Sequence, residues 1–240
     1  MISNRQAKLI TSLKQKKYRN QLGLFVAEGP KVISELIDEG LELYWWFSTE
    51  ESGEENHFLI DESDLKKISF LKTPNTSLAV FKIPEVSSLP DTGLIVVLDS
   101  LRDPGNLGTI IRLCDWFGVE HLVCSPDTVD AYNPKVVQAS MGSLARVKIH
   151  YHSLPSFLKV TNLPVFGGFM DGNDVYKERL PKDAILVVGN EANGISPEIE
   201  AFVSSALTIP RFGRLQKTES LNVATATAIL LNEFRRPIEK

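Results

Sequence analysis

The sequence predicts an α/β protein: a small α/β domain over residues 1–88, then a mostly parallel sheet with helices on both faces over 89–240. Three observations carry that expectation. Beyond residue 90 the runs "LIVVLD", "HLVCS", "RVKIHYH", "VFGGFM", "AILVVG" and "ALTIP" are separated mostly by helix-length segments, the rhythm of strand and crossover. Several of these runs are apolar throughout, as strands covered on both faces must be. Between Pro84 and Gly93 the chain reads "PEVSSLPDTG", a stretch composed like a linker.

Ahead of that linker, "LFVAEG", "ELYWWFS" and "SLAVFKI" read as strands, and "PKVISELIDEG" as a helix opened by Pro30 and stopped at Gly40. Trp45 and Trp46 fall in a strand, where core packing accounts for both. The amino end, "KLITSLKQKKYR", gathers Lys8, Lys14, Lys16, Lys17 and Arg19, which suits either a solvated helix face or a local basic patch.

Composition excludes several classes. At 240 residues, 43% hydrophobic and 23% charged, the chain has apolar material for one large domain or two smaller ones. No apolar stretch approaches a membrane span, and the amino terminus has no signal-peptide apolar core, so a cytoplasmic protein without membrane partners is expected. Cys114 and Cys124 lack the spacing of a zinc site, and His57, His121, His150 and His152 form no HExxH, so no metal is expected. The net charge of -4 argues against a protein that coats nucleic acid nonspecifically, because such binding is phosphate neutralisation.

Ligands of open parallel sheets collect where loops leave the carboxyl ends of strands, and three such loops stand out. The first, "LDSLRDPGNLGTIIRLCDWFG", makes a tight turn at Pro104-Gly105 and offers Asn106 as a helix cap. Leu107, Ile110, Ile111, Cys114 and Phe117 then form the buried helix face, with Arg112 off it. The second loop, "VVGNEANGISPEIEAF", runs through Gly189, Asn190, Glu191 and Gly194 before a helix opens at Ser196-Pro197, so Glu191 is not needed as a cap. The third leaves a strand at Ile209-Pro210, crosses Arg211, Phe212, Arg214 and Lys217, and enters a helix through Glu219, Ser220, Leu221 and Asn222.

Together, "DPGNLGTIIR", "GNEANG" and "IPRFG" followed by "ESLNVA" resemble the signature of the SpoU (TrmH) family of RNA ribose 2'-O-methyltransferases in the SPOUT superfamily. The amino half, with "LFVAEGPKVISEL", is similar to the small α/β substrate-binding domain that many members carry. The resemblance implies a carboxyl-terminal trefoil knot, which general chain-path rules would not anticipate. It also implies S-adenosylmethionine as cofactor, an RNA substrate, ribosomal in preference to transfer RNA, and a homodimer whose catalytic site takes residues from both subunits. Carried over by position, Gly189, Asn190, Gly194, Ile209 and Leu221 belong to the cofactor site, and Asn106, Arg112, Glu191, Ser220 and Asn222 to the catalytic positions.

Those residue types suit the reaction. Methyl transfer to a hydroxyl needs the acceptor oxygen held in line, a route for its proton, and developing charge stabilised. Arginine stays protonated in proteins, so Arg112 as a general base demands a severe perturbation, whereas bidentate grip of a phosphate and charge stabilisation demand none. Asn106 reads either as a cap or as a ribose or phosphate contact, and Glu191 either as a tie within the cofactor loop or as a substrate contact. The spacer "RLQKT" lengthens the basic loop beyond the family pattern, so Arg211, Arg214 and Lys217 bind RNA phosphate, with Phe212 stacking on a base, or are simply solvated. Two rivals are a nucleotide-dependent oxidoreductase, for which no strand leads into GxGxxG, and an RNA-binding protein that kept the fold without catalysis.

Overall fold

The computed structural model describes residues 1–51, 53, 56–86, 88–215 and 220–236. In chain order the elements of the first part are α1 (Asn4–Ser12), α2 (Lys16–Leu22), β1 (Leu24–Glu28), α3 (Pro30–Asp38), β2 (Leu43–Ser48), β3 (His57–Leu59), α4 (Glu62–Ile68) and β4 (Ser77–Lys82). There follow β5 (Leu94–Leu98), α5 (Pro104–Trp116), β6 (His121–Cys124), α6 (Pro134–Ser140), α7 (Ser143–Arg146), β7 (Lys148–Tyr151), α8 (Leu154–Val160) and β8 (Val165–Asp174). The chain then forms β9 (Ala184–Val188), α9 (Pro197–Glu200), β10 (Ser205–Thr208) and α10 (Val223–Arg235).

The chain divides into two compact units, and the division is not linear. One holds Met1–Glu85 together with Asp130–Arg146, the other Val86–Val129 and the chain from Val147 onward. A single cut between residues 88 and 89 therefore misplaces the excursion 130–146, which belongs with the amino-terminal unit. The reason is packing: α6 buries Val136 and Val137 and lies against β1, while Tyr132 sits 5.0 Å from Phe25, centroid to centroid. The Arg19 guanidinium, buried, pairs with Asp130 and donates to it from Nε at 2.8 Å.

In the first unit the strands run in the order β1-β4-β2-β3. β4 is antiparallel to both β1 and β2, and β3 is parallel to β2. Val26, Phe47, Leu78 and Val80 face a core closed by Ile10 and Leu13, at the carboxyl end of α1, and by Leu65 and Ile68 of α4. Phe25 and Phe81 turn to the opposite face, as the two-residue period of a strand requires, and stack 5.7 Å apart. Trp45 packs against the first core.

In the second unit the described strands form a sheet in the order β10-β8-β9-β5-β6-β7, and every pairing in it is parallel. All residues of β5 and β9 are buried, which is why both read as unbroken apolar runs. Ile95, Val97, Val123, Ile185 and Val187 meet Leu154, Phe157 and Leu158 of α8 and Ile199 of α9. On the other side α5 packs on β6 and α10 on β8, with Phe166 and Phe234 edge to face. The paired helices α5 and α10 touch each other, and Arg235 closes the end of α5 by donating to the carbonyls of Phe117 (2.7 Å) and Gly118 (2.8 Å). Phe117 is thus the carboxyl cap of α5 and only half-buried, not part of its core face.

Candidate functional site

Three loops at the carboxyl ends of β5, β9 and β10 are tied together by side chains. The first begins at Asp99, whose buried carboxylate accepts the Ser196 amide through Oδ2 at 2.7 Å. Ser100 follows with φ at 60°, a left-handed conformation that costs a non-glycine residue about 1 kcal/mol. That turn presents the Ser100 carbonyl to the Asn190 amide, which donates at 2.7 Å, and the Ser100 amide to Ser125 Oγ at 2.9 Å.

The cap of α5 is Asp103, not Asn106. Asp103 Oδ1 accepts from the Asn106 backbone amide at 2.7 Å, with Pro104 in the first helical position. Both residue types cap helices, and the one directly ahead of the proline takes the place. Asn106 is released for a different task. Its Nδ2 donates to Glu191 Oε1 at 3.1 Å, and its Oδ1 accepts from Asn222 Nδ2 at 2.9 Å. The Asp103 amide donates to the same Glu191 oxygen at 3.3 Å. Glu191 Oε2 has no hydrogen-bond partner among the described residues, so one oxygen ties loops and the other is open.

The second loop closes on itself. Asn190 and Gly194 exchange both backbone hydrogen bonds at 2.9 Å, and Asn190 Oδ1 accepts from the amides of Ala192 (2.9 Å) and Asn193 (3.3 Å). Gly194 takes φ of 68°, and a Cβ on Gly189 would lie 2.1 Å from the Gly194 carbonyl carbon. Only glycine lets the strand end and the returning loop approach that closely. Ser196 stands at the N-cap of α9, but its hydroxyl makes no capping bond.

From the third loop, Asn222 caps α10 with Oδ1, which accepts from the amides of Ala224 (3.0 Å) and Thr225 (3.2 Å) while Nδ2 reaches Asn106. Ser220 and Leu221 are exposed just before it, and Ile209 is half-buried after β10. Phe212 is exposed, with its ring 6.5 Å from that of Tyr176. Lys217 and Glu219 lie outside the described residues.

Asn106, Glu191, Asn190 and Asn222 are therefore brought together, with Gly189 and Gly194 framing the second loop. Arg112 is not. It lies on an exposed stripe of α5 with Gly105, Thr109 and Trp116, and it makes no hydrogen bond or ion pair with any described residue. Asp99, Ser100 and Asp103 are structural partners that the motif reading passed over; the Asp-Pro step was the one available signal. Among the described residues, no group of three or more histidines, cysteines or carboxylates is placed to hold a metal ion.

Comparison with known proteins gives the family to which the chain is similar. The model of the SpoU rRNA Methylase family matches residues 93–232, and that of the MRM3-like substrate binding domain matches residues 4–79. A TrmH-family RNA methyltransferase structure from Porphyromonas gingivalis superposes with a TM-score of 0.90 at 40% identity, over 98% of this chain and 99% of the other. An AdoMet-bound rRNA methyltransferase from Sinorhizobium meliloti superposes at 0.86 with 28% identity, over 98% and 96% of the two chains. The 23S rRNA (guanosine(2553)-2'-O)-methyltransferase RlmP of Bacillus subtilis is 29% identical over 97% of this chain and 96% of its own. With its larger part matched from one end of the parallel sheet to the other, the chain belongs to the SpoU rRNA methylase family.

Proposed function

We propose that this protein transfers a methyl group from S-adenosylmethionine to a ribose 2'-hydroxyl of ribosomal RNA. The observation that carries the reading is the relay Glu191–Asn106–Asn222, which locks three loops at the carboxyl edge of a parallel sheet and leaves one carboxylate oxygen open. The ribosomal substrate is supported by what the similar proteins are named for, including RlmP and, over 63% of this chain, the 23S rRNA (guanosine-2'-O-)-methyltransferase RlmB of Neisseria meningitidis.

The residues present fit the cofactor. Gly189, Asn190 and Gly194 form a closed backbone turn, and the third loop offers Ile209 and Leu221 with apolar side chains at least partly exposed, suited to an adenosine with a thioether tail. When bound, that group supplies an electrophilic methyl on a sulfonium. The protein does the rest by positioning. Asn106 uses both ends of its amide within the relay, so its orientation is determined, and it holds Glu191 with Oε2 toward the acceptor ribose, whose hydroxyl donates to it. Ser220 and Asn222 line the same corner at the start of α10. Arg112 grips the neighbouring phosphate and stabilises negative charge as it grows on the oxygen.

Arg112 is exposed and makes no bond to the relay of its own chain, which supports a homodimer in which each site takes Arg112 from the other subunit. We assign the protein to the cytoplasm; among the described residues no helix is long and apolar enough to cross a membrane. The carboxyl-terminal trefoil knot implied by the family belongs to the same reading. Mapping 2'-O-methylated nucleosides by mass spectrometry in ribosomal RNA from cells with and without the gene tests it: one methylated ribose should vanish, and an unchanged map overturns the assignment.

A further inference from the structure

The amino end of the chain differs in charge from the rest. Residues 1–27 carry six basic side chains and no acidic one, in a protein of net charge -4. Of the six, Arg19 is spent inside the fold: besides Asp130 it donates to the carbonyls of Leu13 (2.8 Å) and Lys14 (3.0 Å), holding the turn between α1 and α2. The others are exposed.

That turn sets two helical stripes side by side. Arg5, Lys8 and Ser12 recur on α1 at the spacing of one helix face, and Gln15, Tyr18 and Leu22 recur at the same spacing along α2. Between them lies a groove of about 540 Å³ with no acidic residue in its lining. Lys17 lies 5.9 Å from the Tyr18 ring centroid and adds charge at that edge. Cations along one wall with an aromatic and aliphatic surface along the other are what unpaired RNA needs: phosphates on the first, a base or ribose face on the second. A duplex keeps its base faces stacked inside and would use only the charge.

We propose that the α1–α2 groove is the surface by which the amino-terminal unit holds a single-stranded segment of the RNA substrate, with Arg5 and Lys8 on phosphates and Tyr18 against a base. The inference rests on the reading of the chain as an RNA methyltransferase and names where, on its substrate-binding part, the RNA lies.

The test uses the full-length protein, a labelled oligouridylate of about 12 nucleotides, and a duplex of equal length, with binding read by fluorescence anisotropy over a salt series. Arg5→Glu/Lys8→Glu should weaken the single strand about 10- to 100-fold and lower the logarithmic salt slope by about 1.4. Tyr18→Ala should weaken it about tenfold and leave the slope alone. Cofactor affinity by calorimetry should not change. Unaltered affinity and slope in a double variant that melts like the parent overturn the proposal, as does a loss confined to the duplex. Should the charge reversal lower the melting temperature, Arg5→Gln/Lys8→Gln is read by the same criteria. Groove-dependent RNA binding without cofactor binding or methyl transfer supports the groove and overturns the enzymatic reading instead.

Discussion

Asn106 shows how much a single side chain can decide. Its amide is polarised between an acceptor on one loop and a donor on another, so chemistry that keeps the shape but changes the charge should be felt. Asn106→Asp turns a donor toward Glu191 into a second carboxylate oxygen, and like charges at that distance repel. We expect a lower melting temperature and at least about tenfold weaker cofactor binding. Adding Glu191→Gln restores a donor to the pair, so the double variant should recover thermal stability in differential scanning; strict additivity of the two losses would show that the side chains are not coupled.

His150 is a second residue with a readable consequence, unrelated to methyl transfer. It is buried, with Nε2 2.9 Å from His121 Nδ1, and burial followed by the neighbouring His121, Lys148 and His152 pushes its pKa down to about 4. His121 is shifted down as well, by burial and then by Lys148, against a smaller opposing effect of Glu120. The unfolded chain therefore takes up protons first as pH falls. Stability from this pair is complete above the ordinary histidine range, declines as pH drops toward 4, and levels off below. His150→Phe should flatten that part of a melting-temperature profile; a parallel decline in the variant would assign the pH dependence to other groups.

Among the elements, the loop after β9 is the most constrained by backbone alone. Gly189→Ala places a methyl against the Gly194 carbonyl, so the loop must open or the strand end must shift, at a cost of about 1–3 kcal/mol. We expect cofactor binding to fall below detection by calorimetry while circular dichroism retains the parent secondary structure. Full cofactor affinity in Gly189→Ala would show that the tight turn is not what holds it.

The same scale shows why some elements were legible and others not. β5 and β9 announce themselves because a strand buried on both faces has no room for polar residues. β3 is three residues long, and α2 and α4 are seven each, so their periodicity carries little signal, whereas α3 is marked out by Pro30 at its start and Gly40 past its end. At the site, the order of motif residues located the loops, but the cap of α5 was misassigned because aspartate and asparagine compete for that role. The relay itself was beyond reach: nothing local in "DPGN", "GNEANG" or "ESLN" says that three separate polar side chains meet.

For the whole molecule, the exposed placement of Arg112 leads to a test of assembly. If each site joins one subunit's relay to the other's Arg112, Arg112→Ala and Asn106→Ala should each be inactive alone. Mixed and allowed to exchange subunits, they should regain methyl transfer, since one of the two sites in a mixed dimer is intact. No recovery, with exchange verified by mass, would place the arginine in the site of its own chain.

The excursion 130–146 sets an order of events during synthesis. Most of the amino-terminal unit leaves the ribosome first, yet its α6 and Asp130, the partner of buried Arg19, are encoded after β5, α5 and β6. A fragment of residues 1–88 lacks both the carboxylate that pairs with Arg19 and the α6 face that packs on β1, and should not give a cooperative melt. The first unit to begin is still the first to finish, but only after the opening strands of the parallel sheet have been made, so a chain that stops before Asp130 carries neither unit whole.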